Sequence, residues 1–411
     1  MKPRYHPFLA LQFRDFRLLW LGMLISRIGS EMQVVALNWQ IYLITGSALS
    51  LGLIGLSRFL PIIFFSLAGG MIADIADRKK LMIAAQTISM ATAFIFAITT
   101  FTHNISPLLI YILLAINSIA TSFETPARQS LVPALVPEKY FINAVSLNTI
   151  MWQSAMVIGP TIAGFIIALH GVGAVYTLNA LSFLAVIFSL FAIRPPKSPR
   201  PIKVDFNLDT VRDGIRFVIN TPIIYSTMLL DFFATFFASA TVLLPIFAKD
   251  ILKVGPQGMG ILYAAASIGA VSAGLFVSSL GHIKHQGKIL LTAVSIYGLA
   301  TIFFGLSKSF YLSILFLFLT GAGDVISTII RNTIRQLATP DHIRGRMVSI
   351  NMIFFMGGPQ LGETEAGITA AMLGAPFSVV LGGVGTLAAV GLLALLIPKL
   401  RNYQGDELIT K

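Results

Sequence analysis

Twelve apolar segments follow one another along this 411-residue chain, and each is long enough to cross a lipid bilayer as a helix. A spanning helix needs roughly 20 apolar residues, because the hydrocarbon core is about 30 Å thick and each helical residue advances about 1.5 Å. Helices are expected rather than open sheets, whose unpaired edges are unstable in lipid. The predicted spans comprise residues 17–44, 48–73, 81–102, 106–128, 142–169, 172–193, 223–248, 256–281, 287–307, 310–334, 346–373 and 376–397. The sequence therefore predicts an all-α membrane protein with 12 transmembrane helices.

The composition excludes several other classes of protein. Charged residues make up 11% of the chain and hydrophobic residues 56%, whereas soluble domains carry about 25% charged residues. A soluble enzyme, a disordered chain and a fibrous repeat protein are therefore excluded. The net charge of +12 does not indicate nucleic-acid binding, because the basic residues lie between apolar segments and not on one folded face. Cysteine is absent and the histidines lack companions, so no metal site and no catalytic site is predicted.

The basic residues predict the orientation of the chain. With both termini in the cytoplasm, 24 of the 29 Lys and Arg residues lie in cytoplasmic segments, and only Lys249, Lys253 and Lys308 lie in external loops. Cytoplasmic loops of membrane proteins are enriched in Lys and Arg. We therefore expect a multi-pass protein with both termini in the cytoplasm.

One long hydrophilic stretch separates two sets of six spans. It begins with the Pro-rich residues 194–201, which are typical of a stiff linker. Residues 206–220 then place apolar and charged side chains on opposite faces of a helix, which predicts an amphipathic helix along the cytoplasmic interface. The expected domains are an N-terminal half at 1–193, a linker at 194–222, a C-terminal half at 223–398 and a cytoplasmic tail at 399–411.

The two halves contain an internal repeat at an offset of 203 residues. The aligned pairs are Arg128 with Arg331, Pro137 with Pro340, Asn148 with Asn351, Gly164 with Gly367, and Gly171 with Gly374. Spans four and ten are thus equivalent, as are spans five and eleven. Because six helices, an even number, separate equivalent spans, the halves are parallel repeats. In transporters, this arrangement places the substrate near the middle of the membrane and supports alternating access.

The loop between spans two and three carries a recognisable motif. Gly70 is followed by Asp74 and by a basic cluster that begins at Arg78, and this pattern resembles the loop signature of the major facilitator superfamily. Asp77 stands where that signature usually has glycine. A carboxylate at Asp74 can accept hydrogen bonds from a helix N-terminus, and Arg78 can pair with a carboxylate. The alternative is an ordinary basic cytoplasmic loop.

A second pattern resembles one branch of that superfamily. Residues 13–17, residues 125–133 and the dipeptide Gly159-Pro160 are similar to bacterial exporters of the enterobactin-exporter-like and macrolide-efflux-like type. The resemblance implies the major facilitator fold. Gly159-Pro160 resembles the antiporter motif of proton-driven exporters, although an ordinary kinked helix is the alternative. In the second half, Glu363 replaces that proline and Ser278 replaces Asp74.

Ionisable residues inside the spans are candidates for the substrate and proton pathway, because a charge at the bilayer centre costs about 2.5–3.5 kcal/mol or more. These residues are Arg27 and Glu31 on span one, Arg58 on span two, Glu124 on span four, Asp231 on span seven, Asp324 on span ten, and Glu363 and Glu365 on span eleven. The polar residue Asn38, on the same face of span one as Arg27 and Glu31, is a further candidate. The resemblance implies that spans one, four, seven and ten line the central cavity. Arg128 and Arg331 lie at cytoplasmic span ends, where gating is favoured over substrate contact. A purely structural Arg27–Glu31 pair is the alternative interpretation for span one.

The two glutamates of span eleven point about 200° apart, so we expect only one of them to face a given cavity. The proton-carrier candidates are Glu31, Glu363 and other buried carboxylates such as Glu365. Arg58 is a candidate counter-charge to one of the span-eleven glutamates, and the sequence does not identify which. The predicted function is proton-coupled export of an amphipathic organic molecule such as a siderophore from the bacterial cytoplasmic membrane. Multidrug or macrolide efflux is the alternative, as is uptake or lysophospholipid flipping. The partners are a small-molecule substrate, protons and lipid, the protein acts as a monomer, and the proton gradient makes a cofactor unnecessary.

Overall fold

The computed structural model describes residues 8–194, 208–280 and 283–405, and the regular structure within these ranges is helical. Eleven of the described segments are helices long and apolar enough to cross a membrane. Another helix, Asp341–Leu373, covers the remaining predicted span at 346–373. The prediction of an all-α membrane protein is confirmed.

The first six long helices are α1 (Arg14–Thr45), α2 (Ala48–Ile75), α3 (Arg78–Phe101), α4 (Pro107–Ala134), α5 (Phe141–His170) and α6 (Val172–Ala192). The following helices are α7 (Leu208–Asn220), α8 (Pro222–Phe237), α9 (Leu244–Ile246), α10 (Gly255–Ser279), α11 (Gln286–Leu306), α12 (Phe310–Ala338), α13 (Asp341–Leu373), α14 (Ala375–Leu396) and the short α15 (Pro398–Arg401). The repeat is visible in the backbone, since Gly171 and Gly374 end α5 and α13 with φ angles of 80° and 89°. These angles lie in the region that favours glycine.

The described residues form two compact units. One comprises those within Met1–Thr45 and Ser57–Lys203, and the other comprises those within Gly46–Leu56 and Val204–Lys411. The first turns of α2 thus pack within the second unit. There, Thr364 Oγ1 donates a hydrogen bond of 3.1 Å to the carbonyl of Gly52.

The start of α3 explains the unusual residue of the loop motif. Asp77 is the N-cap of α3, and its carboxylate accepts hydrogen bonds from the backbone amides of Lys79 at 2.9 Å and Lys80 at 3.2 Å. The first amides of a helix have no partner within the helix, and a carboxylate there also interacts favourably with the helix dipole. Lys79 in turn donates from Nζ to the carbonyl of Ile193 at 2.9 Å, just beyond the end of α6.

The amphipathic helix predicted at 206–220 is present as α7, while residues 206 and 207 lie outside the described ranges. It packs within the second unit at two positions. Val218 is buried beside Ile223, and a Cβ added to Gly214 would lie 3.0 Å from Cβ of Arg346. Helix α7 is therefore in contact with α13, while Ile215 and Ile219 of its apolar face are exposed.

Span seven is interrupted. The sequence predicts one helix over 223–248, but α8 ends at Phe237 and a 3₁₀ turn at Ala240–Leu243 follows. Carbonyls released by such a break need other partners in a membrane. Tyr297 Oη donates to the carbonyl of Ala238 at 3.3 Å, and Tyr263 Oη donates to that of Thr241 at 2.9 Å.

The chain end returns to the loop between α10 and α11. The backbone amide of His285 donates to the carbonyl of Gln404 at 3.1 Å, and the amide of Gly287 donates to that of Tyr403 at 3.0 Å. Leu400 and Tyr403 are buried in the core of the second unit. We call residues 398–405 the C-terminal clasp.

Candidate functional site

The first unit contains a half-buried pair of charges on α1. Arg27 and Glu31 are one helical turn apart, and Arg27 Nη2 lies 2.6 Å from Glu31 Oε1. The Arg27 side chain is 32% exposed and that of Glu31 is 14% exposed. Each charge in this span therefore has a partner, as burial requires, and the guanidinium is the more open of the two groups.

A second pair on α4 joins the first through a tryptophan of α5. Arg128 Nε donates to Glu124 Oε1 at 3.0 Å. The indole ring of Trp152 lies 3.6 Å from Cζ of Arg27 and 5.7 Å from Cζ of Arg128, measured to the ring centroid. Guanidinium groups are attracted to the face of an aromatic ring, so Trp152 connects the arginines of α1 and α4. We refer to these five residues as the first-unit cluster.

Gly159 places α5 directly against the first-unit cluster. A Cβ added at Gly159 would lie 2.6 Å from Cβ of Glu31 and 2.9 Å from the carbonyl oxygen of Ile28. Only glycine permits this approach of the two backbones. Pro160 follows inside α5, where it is buried and removes one backbone donor. The predicted antiporter dipeptide therefore contacts the helix turn that carries Glu31.

The second unit contains a deeper cluster of charges. Arg331 Nη2 on α12 lies 2.9 Å from Asp231 Oδ1 on α8 and 3.8 Å from Asp324 Oδ1. Arg335 Nη2 lies 3.6 Å from Asp231 Oδ2. Arg331 also donates to Thr328 Oγ1 at 2.8 Å. The second-unit cluster thus consists of two carboxylates and two guanidinium groups, with further hydrogen bonds from Arg335 to Asn332 and Asn351.

Exposure differs sharply within the second-unit cluster. The side chains of Arg331, Asp231 and Arg335 are 1%, 2% and 3% exposed, whereas that of Asp324 is 41% exposed. Two nitrogens of Arg331, Nε and Nη1, are buried and have no hydrogen-bond partner among the described residues. A buried donor without a partner costs about 1–3 kcal/mol. The cluster is therefore sealed on the guanidinium side and open at one carboxylate.

The other predicted pathway residues lie apart from these clusters. Asn38 is buried on α1. Arg58 is half-buried on α2 and has no ion-pair partner among the described residues. Glu363 lies in the second unit, where a Cβ added to Gly55 would come 2.8 Å from its Cβ. Glu365 Oε1 accepts a hydrogen bond of 2.8 Å from Thr369, on another face of α13.

The loop motif is placed only in part. Gly70 and Asp74 fall within α2, but their side-chain surroundings lie outside what the structure describes. Arg78 is half-buried at the start of α3, and its Nη1 donates to the carbonyl of Ser130 on α4 at 3.3 Å. This contact connects the basic loop to the C-terminal end of α4.

Two members of the clusters, Trp152 and Arg335, and one hydrogen-bond partner, Asn351, are not among the residues predicted from the sequence. Trp152 gives no signal because an indole in a span is equally compatible with lipid contact. Arg335 carries a signal that was available, since it lies one turn after Arg331 on the same face of α12. Asn351 lies on α13, and its side chain meets Arg335 only through the packing of α12 on α13.

Comparison with known proteins assigns the chain to a family. Residues 5–411 match the family described as transmembrane secretion effector. The chain belongs to that family, within the major facilitator superfamily. It is 28% identical to the enterobactin exporter EntS of Shigella boydii and of Escherichia coli over 396 residues, which cover 95% of this chain and 93% of each relative. The resemblance noted in the sequence is confirmed.

Solved structures confirm the fold. A bacterial homologue of the human lysosomal transporter Spinster superposes with a TM-score of 0.72 at 14% identity, covering 98% of this chain and 97% of that one. A bacterial homologue of the iron transporter ferroportin gives a TM-score of 0.70 at 18% identity, covering 95% and 99% of the two chains. At these identities, the likeness concerns the fold alone. This family member is a multi-span membrane transporter.

Proposed function

We propose that this transporter exports an amphipathic organic molecule, with a siderophore as the first substrate class. The observation that carries the proposal is the match to relatives named as enterobactin exporters, which extends over 95% of the chain. The family description, transmembrane secretion effector, supports the same direction of transport. Export by alternating access is compatible with the parallel repeat and with a substrate site within the membrane.

We further propose that the energy comes from protons entering in exchange for substrate. Support comes from ionisable residues held inside membrane-spanning helices, which commonly mark proton relays. Glu31 is one candidate carrier, because Gly159 of the antiporter-like dipeptide packs against its helix turn. Glu363 is the other. The proton gradient alone then drives transport, and a cofactor is not needed.

The setting follows from the same proposal. We place the protein in the bacterial cytoplasmic membrane as a functional monomer, with both termini in the cytoplasm. Support for the orientation is the excess of Lys and Arg in the segments assigned to the cytoplasm. Attaching a reporter enzyme that is active only in the cytoplasm to either terminus tests the orientation.

The first experiment is mass spectrometry of supernatants and cell extracts from iron-limited cultures, with and without the gene. Loss of a siderophore from the medium together with its accumulation in the cells supports export. Unchanged profiles in a strain that lacks other siderophore exporters contradict the siderophore assignment. Multidrug or macrolide efflux and lysophospholipid flipping would then be tested by drug-accumulation and lipid-flipping assays.

Proton coupling is tested in everted membrane vesicles once a substrate is available. Substrate uptake into these vesicles should collapse when a protonophore removes the proton gradient. The variants Glu31→Gln and Glu363→Gln separate the two carriers, since the true carrier should lose proton-driven uptake while retaining downhill exchange. Undiminished coupling in both variants rejects both assignments.

A further inference from the structure

The second-unit cluster presents only one kind of chemistry to its surroundings. Both guanidinium groups are enclosed, while the carboxylate of Asp324 carries nearly all of the open surface. An ionised carboxylate accepts hydrogen bonds and donates none. Any polar group that approaches the open side of this cluster therefore meets acceptors.

The open side of Asp324 faces water or ligand rather than lipid. A carboxylate in contact with lipid tails would cost several kcal/mol, so ionisable residues within spans face the bundle interior or a water-filled cavity. Asp324 shares its face of α12 with Thr328 and Arg331, which are four and seven residues further along. That face is directed at Asp231 on α8.

Aromatic side chains lie on α8 next to Asp231 in the sequence. Phe232 follows Asp231 directly, stacks on Phe236 with ring centroids 5.7 Å apart, and meets Phe354 of α13 edge-on at 6.2 Å. All three rings are partly exposed. Partly exposed apolar surface is therefore present on α8, the helix that carries Asp231, and on α13.

We propose that Asp324 determines specificity by binding a hydrogen-bond donor of the substrate, an ammonium or hydroxyl group, so that the substrate is an uncharged or cationic amphipathic molecule and not an anion. This inference rests on the proposed function as a proton-driven exporter. It assigns the polar contact between the substrate and the second unit to the carboxylate of Asp324.

The direction of coupling supports the same substrate class. A proton on Asp324 removes the charge that attracts a donor group, so protons and a cationic or hydroxyl-bearing substrate exclude each other, as exchange requires. An anion behaves in the opposite way. Protonation of Asp324 would free Arg331 for an anion, so the proton and the anion would bind together and travel in the same direction.

The charged and titratable groups around Asp324 are defined on each neighbouring helix. Asp231 faces it from α8, Tyr297 from α11, and Arg331 from α12 itself, with Arg335 behind Arg331. With all four charges present, the cluster is neutral. Neutralising Asp324 leaves two arginines against the single carboxylate of Asp231, which is a net positive site.

The experiment measures ligand binding to purified full-length protein in lipid nanodiscs. The probes share one aromatic body: 2-naphthylmethylammonium carries a cationic donor, 2-naphthol a hydroxyl, 2-methoxynaphthalene no donor, and 2-naphthoate an anion. The wild type should bind the ammonium and hydroxyl probes at least about tenfold more tightly than the methoxy and carboxylate probes. Asp324→Asn keeps a carbonyl acceptor but loses the negative charge, so it should lose the preference for the ammonium probe and gain affinity for naphthoate.

Two further variants make the result decisive. Asp324→Glu restores the negative charge and should keep the wild-type order of probes. Glu138→Gln changes an exposed carboxylate in the turn at Glu138–Tyr140 and should change nothing.

The outcomes separate this inference from the proposed function. An unchanged order of probes in a folded Asp324→Asn protein overturns the role of Asp324, even if vesicle assays show proton-driven export. Tighter binding of naphthoate than of the ammonium probe to the wild type overturns the substrate class. If the binding results hold and export is absent, the site stands and the proposed direction of transport is wrong.

Discussion

Arg331 and Asp231 form an ion pair of 2.9 Å between α12 and α8, with neither side chain more than 2% exposed. The two residues are separated by 100 positions in the chain. Their pairing fixes span ten against span seven inside the second unit. Arg331 also lies 3.8 Å from Asp324, whose side chain is 41% exposed. The same guanidinium group therefore contacts one buried carboxylate and one open carboxylate.

Breaking the buried pair should destabilise the second unit strongly. Asp231→Asn leaves Arg331 and Arg335 enclosed with one carboxylate fewer, and an uncompensated buried charge costs about 3–5 kcal/mol. We expect a clear fall in the thermal unfolding midpoint, measured by intrinsic fluorescence in detergent. The double variant Asp231→Asn/Arg331→Gln should lose less than the sum of the two single variants.

The matched control for this prediction is an exposed ion pair. Arg14 lies 3.6 Å from Asp15, and its side chain is 66% exposed. Arg14→Gln should leave the midpoint nearly unchanged, because solvent screens such pairs. Equal midpoints for Asp231→Asn and the wild type would show that the buried pair does not hold α8 and α12 together.

Gly159→Ala should push α5 away from α1 at the first-unit cluster. The added methyl group would lie 2.6 Å from Cβ of Glu31, and neither helix backbone can retreat without moving its neighbours. We expect about 1–3 kcal/mol of destabilisation and slower substrate efflux from cells. Gly391→Ala on α14 is the control, because nothing lies within 4 Å of its added Cβ. Similar efflux by Gly159→Ala and Gly391→Ala would remove the steric argument.

Loss of the Asp77 cap should reduce the stability of the fold less than loss of the buried ion pair does, and the loss should differ among substitutions at Asp77. Asp77→Ala removes the acceptor for the amides of Lys79 and Lys80, which typically costs about 1 kcal/mol. Asp77→Gly, which places glycine where related motifs have it, should cost only a few tenths of that amount, about 0.3 kcal/mol. Asp77→Asn should retain most of the stability. A thermal unfolding series on these variants checks the order, and a larger loss for glycine than for alanine contradicts capping as the reason for aspartate.

The positions and approximate lengths of the spans could be predicted, because bilayer thickness sets the length of an apolar helix that crosses it. The break in span seven had one sequence signal, Pro245, which has no amide to donate to the carbonyl of Thr241. The end of α8 at Phe237 was not predictable, because contacts from elsewhere in the second unit stabilise it. Gly362 and Gly382 pack against the carbonyls of Phe236 and Phe237 from α13 and α14.

The sequence predicts which residues of the candidate site share a helix face, but it does not predict which residues of other helices they contact. Helical spacing placed Asp324 and Arg331 on one side of α12, yet it carries no information on which residue of α8 lies opposite. Asp231 was recognised only as one polar residue among several. Arg58 shows the reverse limit, since a charge within a span predicts a partner and the described structure provides no ion pair for it.

The C-terminal clasp should hold the start of α11 in the way that Asp77 holds the start of α3. His285 at the N-cap of α11 makes no side-chain capping bond, and its φ of 57° is left-handed. The backbone amides of His285 and Gly287 donate hydrogen bonds to the carbonyls of Gln404 and Tyr403, respectively. The amides at the start of α11 are thus bound by backbone carbonyls of the C-terminal clasp, whereas those at the start of α3 are bound by the carboxylate of Asp77.

Removing residues 403–411 should therefore destabilise the second unit by at least about 2 kcal/mol, since two backbone hydrogen bonds and the buried Tyr403 are lost. A chain that ends at Gly405 keeps both bonds and is the control. Gly287→Ala offers an independent route, because its methyl group would collide with the carbonyl of Leu400. Since the protein has no cysteine, a pair introduced at positions 285 and 404 can report the contact by disulfide formation. The cross-link should form in the full chain and decline in Gly287→Ala, and an equal yield in both would mean that the clasp does not depend on this close approach.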